Sequence, residues 1–301
     1  MISPIPNLSE VLSKVEHVEL KALRALDSMR AGHFRSVFLG HGMEFDQVRE
    51  YVPGDDVRHM DWSATARTGR PFVKVHVEER DLCVLIALDV SPSSEFGTVG
   101  STKREQMAEL AAVLAFAALR GDDRVGLVLF GDEIELTIPP GRGRGHVLRI
   151  VQAILAHRSQ STSTRIAPAL QHLRRVYGRR AAVFLISDFY TAEPTEELDH
   201  ALRVAGLQHE VVAVRCLDPL ESSLPDVGVM TAEDAETGQL VELDTSDPSI
   251  RARYEAAAHE ERGALRRRLR RADVDLLEVQ TDTDYTPDLA SFMTRRTRRT
   301  R

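Results

Sequence analysis

A doubly wound α/β fold with a mostly parallel sheet is predicted by three observations. From Asp81 onward, short apolar runs take turns with segments of helical periodicity. Such alternation implies parallel strands with helices on both faces. Two apolar runs, Leu82 to Leu88 and Ala181 to Ile186, read as buried strands and lead straight into the polar loops Asp89-Val-Ser91-Pro-Ser93 and Ser187-Asp188. In an open parallel sheet such loops gather at the carboxyl ends of the strands, where ligands bind. A separate segment with alternating polarity precedes the main sheet, so a small β element decorates it.

The elements follow in order. In the N-terminal region, 1–31, Leu8, Val11, Leu12, Val15, Val18, Leu23, Leu26 and Met29 fall near a helical repeat, with Asn7 or Ser9 as cap. Gly32, Gly40 and Gly42 then break the pattern. Region 32–80 reads as the small β element. Phe45 to Tyr51 alternates, Pro53-Gly54-Asp55-Asp56 turns, and Phe72 to Val77 alternates again. Region 81–217 holds the main α/β unit. Its predicted strands begin near Leu82, Arg124, Glu133, Ala181 and Glu210, and its predicted helices near Lys103, His146, Ile166 and Glu193. Region 218–301 contributes a hairpin across Glu236-Thr-Gly238, a charged helix from Pro248 to Arg271, a strand from Val274 to Gln280 that completes the sheet, and a basic tail expected to be mobile.

The bulk numbers narrow the class. A chain of 301 residues with 43% apolar residues can bury a substantial core. A formal charge of −7 argues against nucleic-acid binding through overall charge. The longest apolar run, Ala111 to Leu119, is far short of the roughly 20 residues a membrane span requires. Met1-Ile-Ser-Pro-Ile-Pro lacks the basic start and apolar stretch of a signal peptide. Cys83 and Cys216 have no paired spacing and read as reduced core thiols. The expectation is a cytoplasmic protein with no transmembrane segment.

Chemistry enters with the loops. Asp89, Ser91, Ser93, the Thr-rich stretch ending at Thr164, and Asp188 would together supply two carboxylates and three hydroxyls, all oxygen donors, with a charge of minus two. That set suits Mg²⁺, with Mn²⁺ as the alternative, since both prefer carboxylate, hydroxyl and water oxygens over His or Cys. Alternate side chains of Asp89-x-Ser91-x-Ser93 can converge on one point as the chain leaves its strand. The rival structural reading lets Ser91 or Ser93 cap the helix near Lys103.

This pattern resembles the metal-ion-dependent adhesion site (MIDAS) of von Willebrand factor A domains. Asp89, Ser91 and Ser93 match its first motif. Thr164, followed by Arg-Ile-Ala-Pro-Ala-Leu170, matches the second, and Asp188 in Leu-Ile-Ser-Asp-Phe the third. The segment Tyr51-Val-Pro53-Gly54-Asp55-Asp56-Val-Arg58-His-Met-Asp61-Trp62, then Ala66-Arg67, resembles the signature of the DUF58 family. Together these cover roughly residues 32 to 217. The resemblance implies a von Willebrand A-like, Rossmann-type sheet. It further implies an adaptor or chaperone-like role beside a MoxR-type AAA+ ATPase, with the ion gripping a carboxylate of the ATPase or a client. Ser94-Glu95 stands where the family usually has methionine, which makes Glu95 a local competitor for the ion.

Other features have bland and functional readings. Asp55, Asp56, Arg58, Asp61, Trp62 and Arg67 form either a partner-docking surface or a salt-bridged turn with Trp62 as its apolar anchor. Arg262, Arg266, Arg267, Arg268, Arg270 and Arg271, with Arg295, Arg296, Arg298, Arg299 and Arg301, suit either an anion or nucleic-acid scaffold or a solvated helix paired with Glu255, Glu260 and Glu261. Gly141-Arg-Gly143-Arg-Gly145 lacks a phosphate-loop ending and reads as a turn at the rim of the metal cleft. A metal-dependent hydrolase, for instance of phosphoesters, would need a nucleophile or base and usually a second metal. No such His or carboxylate cluster accompanies the motifs, so the expectation is a protein that is not an enzyme.

Overall fold

The computed structural model describes residues 8–28, 43–53, 55–78, 82–98, 100–191, 193–233, 240–281 and 283–299. In chain order these form α1 (Leu8–Ser28), β1 (Met43–Glu50), α2 (Trp62–Thr68), β2 (Phe72–Glu78), β3 (Cys83–Asp89), α3 (Lys103–Arg120), β4 (Arg124–Phe130) and β5 (Ile134–Gly141). Then come α4 (Arg144–Ala156), α5 (Ile166–Val176), β6 (Ala182–Ser187), α6 (Thr195–Gln208), β7 (Glu210–Leu217), β8 (Val229–Glu233), β9 (Leu240–Asp244), α7 (Pro248–Arg271), β10 (Asp275–Gln280) and α8 (Thr286–Arg299). The glycines at 32, 40, 42 and 54, and the hairpin tip at 236–238, lie outside the described residues.

β3 is buried at every position and is therefore a central strand covered on both faces. The sheet order is β10-β7-β6-β3-β4-β5, parallel throughout except for β5, which runs antiparallel to β4. This is the doubly wound, mostly parallel sheet of a von Willebrand A-like fold. The chain leaves β3 for β4 on one side and later returns to place β6 on the other. The strand order thus reverses at β3/β6, the kind of switch point at whose carboxyl ends ligands bind in open α/β sheets.

Side-chain alternation along the strands divides the core in two. Val84, Ile86 and Leu88 of β3 face α1, α3, α4 and α8, while Cys83, Leu85 and Ala87 face α5, α6 and α7. The Ala-rich α3 is buried almost all round because it lies between the sheet and α1. α1 meets it through Val15, Val18, Ala22, Ala25 and Leu26, spaced for one helical face. β1 and β2 pair antiparallel as a separate two-stranded ribbon, and β8 and β9 form another.

Three expectations are corrected here. The Gly141–Gly145 turn does not rim the metal cleft. Because β5 is antiparallel, Gly141 sits beside Val125 at the start of β4, the opposite end of the sheet from Asp89. The basic tail is not loose: through Arg299 it forms α8, with Leu289, Phe292 and Met293 buried against the core. Trp62 is no anchor. It opens α2, a helix with no buried residues, and is 70% exposed.

Candidate metal site

Three loops leave the carboxyl ends of β3, β4 and β6 and are stitched to one another. Asp89, the last residue of β3, accepts from Ser91 N at 2.9 Å through Oδ1 and from Ser187 Oγ at 2.6 Å through Oδ2. The end of β6 is therefore tied directly to the first motif. Ser91 and Ser93 bring their Oγ atoms to 3.1 Å of each other. Asp188 follows Ser187, and Tyr190 N donates to its Oδ1 at 3.1 Å. Between them Phe189 adopts a left-handed φ of 64°, a conformation that costs a non-glycine residue about 1 kcal/mol or more and is common at functional sites.

Thr164 reaches the same end of the sheet from the loop before α5. Arg165 N donates to Gly131 O at 2.8 Å, just past β4, and Thr191 Oγ1 donates to Thr164 O at 2.8 Å. A short network holds the loop. Glu135 accepts from Ser159 Oγ, Ser161 Oγ, His157 Nε2 and Gln160 N. Burial pushes the Glu135 carboxyl up, but these donors outweigh it and bring it down to about 2. The N-terminus of α5 is closed by Glu193, whose two oxygens accept from Ile166 N and Ala167 N at 3.0 Å each.

Asp89, Ser91, Ser93, Thr164 and Asp188 are all buried, with Ser93 nearest the surface at 7% exposure. Their chemistry fits a hard cation. Thr164 Oγ1 has no hydrogen-bond partner among the described residues, an expensive state for a buried hydroxyl. Burial first, and repulsion from Asp188 second, push the Asp89 carboxyl up to about 7. Two like charges kept from water call for a positive counterpart. The capping alternative fails at α3, because Thr102 is its N-cap and forms a capping box with Glu105. Ser91 precedes a short 3₁₀ turn but makes no side-chain cap bond. Glu95 is not poised to compete for the ion, since it pairs with Arg104 at 3.0 Å on the surface side.

The most consequential residue absent from the sequence reading is Lys103. Its Nζ lies 2.6 Å from Asp188 Oδ2 and 2.6 Å from Glu221 Oε1. Burial opposes its charge, yet Asp188 and Glu221 raise its pKa above that of an ordinary lysine. Removing one partner of such a buried pair typically costs about 3–5 kcal/mol. Arg215, also buried, donates through Nε to Asp188 O at 3.1 Å and pairs with Glu261 at 2.7 Å. A lysine opening a helix gives no sequence signal of burial. Glu221 did carry one, because it follows β7 and so belongs to the same end of the sheet.

The second candidate surface is locally satisfied. Asp55 takes both a 2.7 Å and a 2.8 Å bond from Arg49. Asp56 pairs with Arg58, and Asp61 caps α2 through Ser63 N and Ala64 N. Arg67 Nε donates weakly to Ser63 O at 3.4 Å. Asp55, Asp56, Arg58, Asp61, Trp62 and Arg67 all lie in the segment that joins β1 to β2. In the Arg-rich helix, Arg262 and Arg266 pair with Glu278 of β10, and Arg268 with Asp199 of α6. Cys83 and Cys216 are free and buried.

A von Willebrand A-like α/β unit with oxygen-rich loops at its switch point defines the class. The chain belongs to the DUF58 family, described as a protein of unknown function, whose sequence pattern matches residues 47–264. An uncharacterized protein of Mycobacterium tuberculosis strain H37Rv is 34% identical over 283 residues, covering 93% of this chain and 88% of that one. Among solved structures, the conserved hypothetical protein BatB of Bacteroides thetaiotaomicron superposes with a TM-score of 0.45 at 17% identity, covering 72% of this chain and 99% of that one. The SpRpn10 VWA domain gives a TM-score of 0.42 at 12% identity, covering 69% and 93%. The family assignment rests on the sequence matches. No helix among the described residues is long and apolar enough to cross a membrane.

Proposed function

We propose that this chain is a metal-dependent protein-interaction module, not an enzyme, that works in the cytoplasm beside a MoxR-type AAA+ ATPase. Asp89, Ser91, Ser93, Thr164 and Asp188 would hold the divalent cation, Mg²⁺ first and Mn²⁺ as the alternative. When bound, the ion would supply a Lewis-acidic charge with an exchangeable position for an outside oxygen. The chain's own part is to orient the donors and exclude bulk water, so that a partner's carboxylate is attracted strongly. The approach would run past Ser93, the most exposed of the five. The ATPase and its client are the partners the family resemblance suggests.

The observation that carries this reading is the orphaned Thr164 hydroxyl, held by its backbone at the same end of the sheet as the buried carboxylates of Asp89 and Asp188. It is tested by chemical denaturation in Mg²⁺, in Mn²⁺ and in chelator. The expected result is a metal-linked gain of about 2.7 kcal/mol when the ion stands at 100 times its Kd. Asp89→Ala should abolish that gain. A wild type indifferent to both ions rejects the metal, and a gain that survives Asp89→Ala rejects these ligands. Capture of the ATPase that vanishes with EDTA supports the partner reading; capture unaffected by EDTA removes the ion from it.

A further inference from the structure

The metal reading makes Asp188 a ligand, yet the fold already gives that carboxylate a cation. The Lys103 side chain is 1% exposed and bridges Asp188 and Glu221, with its Nζ 2.6 Å from an oxygen of each. Its place is fixed from several directions. It is the first residue of α3, directly behind the Thr102 cap, and its backbone N donates to Phe96 O at 2.9 Å. The ammonium lies 5.8 Å from the centre of the Phe96 ring and 5.6 Å from that of Tyr190, both favourable for a cation. Glu221 is held as well, because its Oε2 accepts from Asp218 N at 2.8 Å. Asp218 is pinned in turn by Thr98 and Thr281.

An ammonium and a divalent ion repel each other strongly when both approach one buried carboxylate. We infer that Lys103 is a resident cation that competes with the divalent ion for Asp188, and that Glu221 is the carboxylate that keeps the ammonium when Asp188 turns to the metal. Lys103 and Glu221 cancel in formal charge, so the pair leaves the sign of the site unchanged and sets how readily metal enters. Two anchors at equal distance make this an exchange between partners rather than an ejection of a buried charge into water. The inference rests on the metal reading above, and it assigns that site a built-in threshold.

The test is calorimetric titration of the full chain with Mn²⁺ alone. The double variant K103M/E221Q removes the ammonium and its second partner together, so the formal charge of the site stays the same. It should bind Mn²⁺ about tenfold more tightly than wild type, a ratio equivalent to about 1.4 kcal/mol. Glu221→Gln alone leaves the ammonium only Asp188 and should weaken binding by about tenfold. Arg165→Gln, which removes a half-buried charge next to Thr164 that is already paired with Glu197, should stay within about twofold, as a neutralised and screened charge does. If wild type binds and the double variant binds equally or less tightly, Lys103 does not compete and the metal reading survives. If wild type is silent and the double variant binds, Lys103 is the resident cation and the metal-loaded wild type is wrong. If neither binds, both ideas fall. Should the double variant fail to fold, Glu221→Gln decides, because unchanged or tighter binding overturns the proposal.

Discussion

Replacing Thr164 by valine should move stability in opposite directions with and without metal. Valine has nearly the shape of threonine and lacks the hydroxyl. In the folded chain Thr164 is fully buried and its Oγ1 meets no partner among the described residues. Leaving a buried polar group unsatisfied costs about 1–3 kcal/mol. The backbone carbonyl of Thr164, which accepts from Thr191 Oγ1, is untouched by the change. In chelator, Thr164→Val should therefore be more stable than wild type by about 1 kcal/mol, the low end of that range. In saturating Mg²⁺ the order should reverse, because the wild type gains about 2.7 kcal/mol at 100 times Kd and the variant loses most of it. Urea unfolding followed by far-ultraviolet circular dichroism, run in EDTA and in MgCl₂, measures both differences. A variant less stable than wild type in EDTA would mean that the hydroxyl has a structural partner. A variant that keeps the full Mg²⁺ gain would remove Thr164 from the ligand set.

Two further predictions concern the loop that carries Thr164. Glu135→Gln should cost about 1.5–3 kcal/mol near neutral pH, the range for hydrogen bonds to a charged group. Glu135 titrates at about 2 in the folded chain, below its unfolded value of about 4.3. Its contribution is therefore complete above the unfolded value and disappears as pH falls toward 2, so the gap between wild type and Glu135→Gln should close from pH 5 downward. A gap that widens in acid contradicts the assignment. Gly131→Ala should cost about 1–3 kcal/mol, as overpacking does, because a Cβ there would lie 2.2 Å from Ser161 Oγ and 2.3 Å from its Cβ. The same change should weaken the Mg²⁺-linked gain, since Ser161 and Thr164 share a loop. Unaltered stability in Gly131→Ala would show that the β4 turn and this loop do not touch in solution.

Much of the architecture was readable because β3 and β6 are buried on both faces. Such strands must be apolar along their whole length, and each ends abruptly in an acidic or hydroxyl residue. Strand order was not readable. Nothing local in Ala182–Ser187 says that it pairs with β3, and only that pairing brings Ser187 onto Asp89. The direction of β5 was equally silent, which misplaced the Gly141–Gly145 turn. The tail was misjudged for another reason. Leu289, Phe292 and Met293 have the spacing of one helical face, but chain ends are usually poorly ordered, which argued for a mobile tail. Lys103 went unseen because a search for oxygen donors passes over a lysine, and because a charge at a helix start is ordinarily exposed.

Several departures from the usual rules of folded chains meet at the carboxyl ends of β3 and β6, while others, such as the left-handed Asp122 and Asp273 and the His209 ring, unpartnered among the described residues, lie elsewhere. An orphaned hydroxyl at Thr164, a carboxyl raised to about 7 at Asp89, a left-handed Phe189 and a buried ammonium at Lys103 all belong to the β3/β6 end. A chain selected for stability alone would replace several of them with apolar residues, since buried charges contribute little net stability. The segment from Arg49 to Arg67 differs: its acids are paired or capping, and substitution there should disturb little beyond the surface. Strain and unmet polar groups at a topological switch point are features that binding sites share. The contrast between the two places favours the β3/β6 end for the proposed metal site. That site also explains why this end of the sheet holds a lysine: two or three acids buried together need a cation even when no divalent ion is bound.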